Sequence, residues 1–213
     1  MSDESGSDGL QAAMAVAQRP SAADLRSTGD LLARAFVADP VLCHAEPKAA
    51  RRAGWMSLLY RVFVRYGAVA GGVEVVDGKA AAIWLRNETQ PPFWRGLLHG
   101  SLRVVCALGW RAAWRCLRHE AWCAARVRAL GFERYGYVWF LGVDPEAQRR
   151  GHGRRALGAA LEAMRARNHE ICILKTESRS NVPYYLGLGF ELVEDRVVPA
   201  SELHYWLFRR DLR

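Results

Sequence analysis

No stretch of this 213-residue chain stays apolar long enough to cross a membrane, since arginine or glycine interrupts every hydrophobic run short of the roughly 18 residues a span needs. Met1 to Asp8 is acidic and rich in serine and glycine, without the basic start and apolar core of a secretory signal. Residues 1–10 therefore read as a disordered tail. Cysteine is sparse, and its number, 5, is odd with no disulfide-type spacing, which predicts reduced thiols and a cytoplasmic address. Cys116, His119 and Cys123 fall on one helical face, but no fourth ligand stands near them in sequence. They predict buried thiols beside a packing histidine, and no metal. A Gly-Lys-Ser/Thr loop is missing, as is the third glycine of a dinucleotide fingerprint, so nucleotide hydrolysis and hydride transfer lose their support. No nucleic-acid module is present either: of the net charge of +8, +6 falls between Gln90 and Tyr135, where the arginines are spread around the helix rather than gathered on one face.

What the chain does contain is a glycine-spaced basic turn. Val138 to Val143 is an apolar, β-branched and aromatic run that predicts a strand, ended by Asp144-Pro145. Leu157, Leu161 and Met164 then recur at helical spacing, so a helix opens at the glycines. Gly151 and Gly153 carry no Cβ to hold a ligand off the backbone, and the first helix amides lack internal acceptors. Together with Arg149, Arg150 and Arg154 they suit an anion such as a pyrophosphate, against a plain exposed basic turn whose glycines only cap the strand-to-helix connection.

A second block follows. Ile171 to Thr176 predicts a buried strand ending at Glu177, and Asn181-Val182-Pro183-Tyr184-Tyr185 predicts a short helix capped by Asn181 and stopped by Gly189 before Phe190. The Gln148-x-x-Gly151-x-Gly153 turn, with the Asn181, Tyr184-Tyr185 and Gly189-Phe190 pattern downstream, resembles the two hallmarks of the GNAT family of N-acetyltransferases in order and separation. The likeness extends to Ala35–Pro40, Val75–Gly78, Trp139–Val143 and Leu174–Ser178. It lapses at the N-terminus and from about Thr89 to Tyr135.

The resemblance implies an α/β fold for residues 11–213. A mixed central sheet of about six to seven strands would be flanked by helices, with Val138–Val143 and Ile171–Thr176 as splayed fourth and fifth strands. It implies acetyl-CoA as co-substrate, held by Leu141, Gly142, Val143, Gln148, Arg149, Arg150, Gly151, His152, Gly153, Arg154, Asn181 and Tyr184. Tyr185 takes the place of the family's general acid, against a plain packing role on a short helix. Glu177 is the leading candidate for the base that deprotonates the amine, against a structural pairing with Arg179 or Lys175. Asp39, His44 and Glu88 are further acceptor-side candidates, each read as a turn or surface residue ahead of a base.

The coarse reading adds a first strand at Ala13–Gln18, a helix from Ser21 or Asp24 to about Ala38, and a second helix after Pro47. A hairpin turns at Asp77-Gly78. The insert at about 89–135 holds Trp94, Trp110, Trp114 and Trp122 among many arginines, and predicts one or two amphipathic helices that pack aromatics on the core or form an acceptor lid. Three functions stay open: acetylation of a small-molecule amine, acetylation of a protein N-terminus or lysine, and non-catalytic acyl-CoA binding. Neither nucleic acid nor membrane is expected as a partner, and monomer and homodimer are both compatible with the sequence.

Overall fold

The computed structural model describes residues 21–87 and 102–213. The tail, the strand expected at Ala13–Gln18, Glu88, Trp94 and the start of the insert lie outside the described residues. The first helix, α1 (Ala22–Ala35), opens on a reciprocal capping box: the Ser21 hydroxyl accepts from the Asp24 amide at 3.2 Å, and the Asp24 carboxylate accepts from the Ser21 amide at 2.9 Å. It stops at Ala35 rather than Ala38, because Asp39 caps a separate short helix, α2 (Pro40–Ala45), with Pro40 in its first turn. The long α3 follows as Ala49–Ala70, after Pro47 as expected. Asp77 and Gly78, both at positive φ, turn β1 (Gly71–Val76) into β2 (Ala80–Arg86).

The insert forms α4 (Leu102–Leu108) and α5 (Trp110–Ala129). Then come β3 (Tyr135–Val143), α6 (His152–Arg165), β4 (Ile171–Thr176), α7 (Val182–Gly187), β5 (Glu191–Val197) and β6 (His204–Asp211). They build a six-stranded mixed sheet in the order β1-β2-β3-β4-β6-β5, antiparallel except where β3 runs parallel to β4.

Alternation along the strands sends side chains to both faces. On one face Ala82, Trp84, Val138, Leu174 and Phe208 receive Leu157, Leu161 and Met164 of α6. The other is covered in two patches. Ala81 and Ile83 meet Leu32 of α1 and Leu59 of α3, while Ile173 and Leu207 meet Cys123 and Val127 of α5. The insert is thus a covering layer of the core. Its aromatics divide: Trp122 packs edge-on to Tyr205 at 5.4 Å, whereas Trp110 and Trp114 remain 71% and 52% exposed, each beneath an arginine. Among the described residues, no helix is long and apolar enough to cross a membrane.

One irregularity shapes the centre of the sheet. Ile83 pairs with Phe140 and Trp84 with Val138, which leaves Trp139 as an extra residue on β3. Such a bulge bends its strand and increases the local twist. The parallel pairing of β3 with β4 runs from Tyr135/Ile171 to Val138/Leu174 and goes no further. From Trp139 to Val143 the β4-facing edge of β3 has no strand partner among the described residues. The expected splay between these two strands is present, and the bulge marks where it begins.

Candidate active site

The end of β3 and the start of α6 meet at the glycine turn. Gly151 is the helix N-cap and lies in the left-handed region at φ 81°, a conformation in which a side chain would be strained. No side chain caps the helix there, so its leading amides point outward at the positive end of the dipole. Gly153 lies at a close approach: a Cβ on it would come within 3.0 Å of Val143 Cγ2 and 3.3 Å of the Tyr184 hydroxyl, so those side chains would have to give by a few tenths of an ångström. Arg149, Arg150 and Arg154 are exposed around the turn, and Arg149 also has positive φ. Gln148 reaches back to the Val143 carbonyl at 3.5 Å, and His152 lies 3.3 Å from the Asp77 carboxylate, which Arg155 also engages at 2.7 Å. A groove of about 380 Å³ continues from the turn along α6, lined by Arg154, Leu157, Arg165, Leu188 and Arg210.

Leu141 and Val143 are half-buried and Gly142 is buried. A Cβ on Gly142 would meet Leu32 at 2.6 Å and Phe36 at 3.0 Å, so the end of α1 rests directly on β3. Tyr184 is half exposed, with its hydroxyl over Gly153. Tyr185 is only 7% exposed and packs against Phe190 and Phe208. Burial pushes the Tyr185 phenol up, with smaller contributions from Tyr184, Cys172 and Glu177, so it stays protonated. Asn181 differs from its expected role as a cap. Its backbone is helical, it caps nothing, and its Nδ2 donates to Thr176 Oγ1 at 3.0 Å, tying the α7 turn to the end of β4.

Across the splay lies a buried polar chain. Lys175 donates to Glu177 Oε1 at 2.7 Å and to Glu120 Oε1 at 2.9 Å. His119 Nε2 lies 3.1 Å from the same Glu177 oxygen, and its Nδ1 lies 2.8 Å from Ser201 Oγ. Desolvation would raise Glu177, but Lys175 and His119 outweigh it and hold the carboxyl down at about 2. Burial works against the Lys175 ammonium too, yet Glu120 and Glu177 hold it well above its ordinary value. The pairing of Glu177 with Lys175, weighed from the sequence, is therefore present. Arg179 takes no part in it.

His119, Cys123 and Glu177 bring ligand atoms within 4.8 Å of one another. The Glu177 oxygen in that group already accepts from Lys175, whose positive charge opposes a cation at the same point. The chemistry of this donor set favours an ion-pair relay over a metal centre.

Sequence reasoning missed Ser201, Glu120 and Tyr60 as members of this region. The signal for a network was Lys175, a charge within the apolar run of β4. Beside the network stands an aromatic wall in which Phe36 lies 5.3 Å from Tyr60 and 5.6 Å from Phe140, and Phe63 stacks on Phe140 at 5.1 Å.

A bulge-bent strand, a parallel neighbour that diverges from it, and an uncapped helix N-terminus beyond its end thus lie next to one another, with arginines around the turn. Residues 109–190 match the acetyltransferase (GNAT) family. This segment contains the glycine turn, Glu177 and Tyr185, and the six-stranded mixed sheet with flanking helices is consistent with a GNAT fold. At the level of sequence, no curated protein matches the chain.

Among solved structures the chain is similar to an agmatine N-acetyltransferase variant in its apo form. The two share 17% identity over 90% of this chain and 96% of that one, with a TM-score of 0.55. At that level the likeness concerns the fold alone. A ribosomal-protein-alanine N-acetyltransferase of Escherichia coli aligns at 18% identity over 38% of this chain and 56% of its own, with a TM-score of 0.33. A putative acetyltransferase of Agrobacterium tumefaciens aligns at 19% over 37% of this chain and 58% of its own, with a TM-score of 0.35. The chain thus spans little more than half the length of these last two.

Proposed function

We propose that this protein is an acetyl-CoA-dependent N-acetyltransferase that acts on a primary amine of a small molecule. The observation that carries the reading is the juxtaposition of the uncapped Gly151 turn with the free edge of Trp139–Val143, where β4 has parted from β3. The pyrophosphate of acetyl-CoA fits the α6 amides with Arg149, Arg150 and Arg154 around it. The adenosine end fits the groove along α6. The pantetheine amides match the unpaired edge of Leu141 to Val143 as an added strand would, and a backbone amide there can polarise the thioester oxygen. Gln148, His152 and Asn181 shape the turn and its approach, and Tyr184 lies over Gly153 at its edge.

The amine nitrogen attacks the thioester carbon, the C–N bond forms, and the tetrahedral oxyanion collapses with cleavage of the C–S bond. Tyr185, kept protonated by burial, supplies the proton that leaves with CoA as its thiol. Glu177 contributes negative charge at the end of β4, where the cationic amine enters.

A small amine with an apolar body is favoured over a protein acceptor by the half-buried wall of Phe36, Phe63, Trp139 and Phe140; an open polar groove would favour the protein. The five cysteines, all free, agree with a reducing compartment.

The test is CoA release from acetyl-CoA with alkylamines, arylamines, polyamines, amino acids, aminonucleosides and short peptides. A small-molecule hit is expected, and Tyr185→Phe should retain acetyl-CoA affinity while kcat falls by roughly 10²-fold. Tight acetyl-CoA binding with no release on any amine would leave the non-catalytic reading standing. A response to peptides alone would move the acceptor class.

A further inference from the structure

Side chains alternate across a strand, so successive residues of β3 should face opposite sides of the sheet. They do so on either side of one point. Tyr137 packs with the residues under α3 and α5, and Val138 with those under α6; further on, Leu141 and Val143 join the α6 side, while Gly142 meets Leu32 and Phe36 on the other. In between, Trp139 and Phe140 are neighbours in sequence and yet lie on the same side, with ring centroids 4.7 Å apart. The bulge that leaves Trp139 without a partner on β2 breaks the alternation. Without it, one of these two rings would point at α6.

The pair also stands at a particular place along the strand. Val138 is the last β3 residue paired with β4, opposite Leu174. Trp139 and Phe140 are therefore the first residues of the opening, and the residues that follow Leu174 on the other strand are Lys175, Thr176 and Glu177. One lip carries rings, and the other carries the ion pair of Lys175 with Glu177. On the ring side, Phe63 of α3 stands 4.6 Å from Trp139 and stacks on Phe140 at 5.1 Å with 15° between the planes. Phe36 lies edge-on to Phe140 at 5.6 Å. Phe36, Phe63, Trp139 and Phe140 are all half-buried, whereas Tyr60 and Tyr66 beside them are buried. Part of each of the four therefore stays uncovered by the protein.

Resting on the acetyltransferase reading above, we propose that the acceptor is an arylalkylamine, a primary amine joined to an aromatic ring by a short chain, and that Trp139 is the residue that selects it. The acceptor's ring joins the cluster in the stacked and edge-on arrangements that its members already make with one another. Leu141, where the edge for the acetyl donor begins, is two residues beyond Trp139, roughly 7 Å along a strand. A ring with a two-carbon chain spans that distance and brings the amine to the thioester. A saturated ring of the same size would bury similar apolar area but lacks the quadrupole that favours ring-on-ring contact, a difference of roughly 2- to 10-fold in affinity.

The test measures CoA release with phenethylamine and with 2-cyclohexylethylamine, primary amines that differ in whether the ring is aromatic. Wild type, Trp139→Leu and Trp139→Phe are compared, with acetyl-CoA affinity as the check on the fold. The readout is the ratio of kcat/KM for the aromatic amine to that for the saturated one, which a general loss of stability does not move. Wild type should favour the aromatic amine by roughly 3- to 10-fold, chiefly through KM, and Trp139→Leu should bring the ratio down to about 1. Trp139→Phe should keep most of the preference. A wild type without the preference, a preference unchanged in Trp139→Leu, or release with peptides or polyamines alone would overturn the proposal and leave acetyl transfer in place. No CoA release by wild type with any amine would overturn the acetyltransferase reading and this selectivity with it.

Discussion

The two ends of the candidate site are made from different materials. The donor end is backbone: a left-handed Gly151, a Gly153 pressed between Val143 and Tyr184, helix amides, and a strand edge exposed by a bulge. The acceptor end is side chain: Ser201, His119, Glu177, Lys175 and Glu120 are linked one to the next, drawn from α5, from the end of β4 and from the β5–β6 connection. Backbone sites impose their demands locally, so a change there blocks a ligand and leaves the core alone. A buried polar chain is part of the core, so removing one member leaves another unsatisfied. The donor end should fail by losing affinity, and the acceptor end by losing stability.

The largest expected effect tests the second half of that contrast. Lys175 is one of only three lysines in the chain and neutralises two glutamates. Lys175→Met leaves Glu177 buried with an uncompensated charge, a change that costs about 3–5 kcal/mol when a buried pair is broken. The pH dependence should reverse as well. In the wild type the Glu177 carboxyl is held down at about 2, so its stabilisation is present above pH 4.5 and fades as pH falls toward 2. In the variant, desolvation acts unopposed by the ammonium, the carboxyl rises, and stability should improve as pH falls from 7 toward 5. Urea denaturation at the two pH values decides it; a wild-type-like slope would show that Lys175 does not govern Glu177.

A smaller effect of opposite character is expected at the donor end. Gly153→Val places a branched side chain where even a Cβ is 3.0 Å from Val143 and 3.3 Å from the Tyr184 hydroxyl. Acetyl-CoA affinity should fall about 100-fold, or roughly 2.7 kcal/mol, with the urea midpoint little changed. Calorimetric titration beside denaturation tests this. A variant that unfolds as readily as Lys175→Met would erase the contrast between the two ends.

The same contrast explains what could be read from the sequence. The β3-turn-α6 unit and the Asp77-Gly78 hairpin were legible because each is specified by neighbours along the chain: a β-branched run, a proline stop, spaced glycines, helical periodicity. Asn181 misled because its position matched a cap while its side chain found a better acceptor in Thr176, a tertiary contact with no local signature. The expectation that the insert's tryptophans pack on the core held for Trp122 and not for Trp110 and Trp114, since periodicity gives a face without saying how far the sheet beneath it extends. His119 and Cys123 sit on one face, as their spacing requires, and both are buried. That Ser201 and Glu177 would meet His119 there depends on a loop 82 residues away and a strand end 58 residues away.

The smallest predicted effect runs against the usual direction for a mutation, and it concerns Asp39, the cap of α2. The folded-state pKa of Asp39 is raised to about 6 from an ordinary value of 3.8, because burial penalises the charged form. Above pH 6 the group is ionised in both folded and unfolded chains, and only the folded chain bears the desolvation cost. As pH falls through 6, the folded chain takes up a proton before the unfolded one, so stability from this group rises toward pH 4 and is lower at neutrality. Asp39→Asn removes the charge while keeping an acceptor for the Leu42 amide. It should therefore stabilise the protein at pH 7 by about 1–2 kcal/mol and flatten the dependence between pH 4 and 7. Paired urea denaturation of wild type and variant measures both. A variant less stable than wild type at pH 7 would mean that the Asp39 carboxylate is well solvated, and an acceptor-end acid would then behave like an ordinary surface cap.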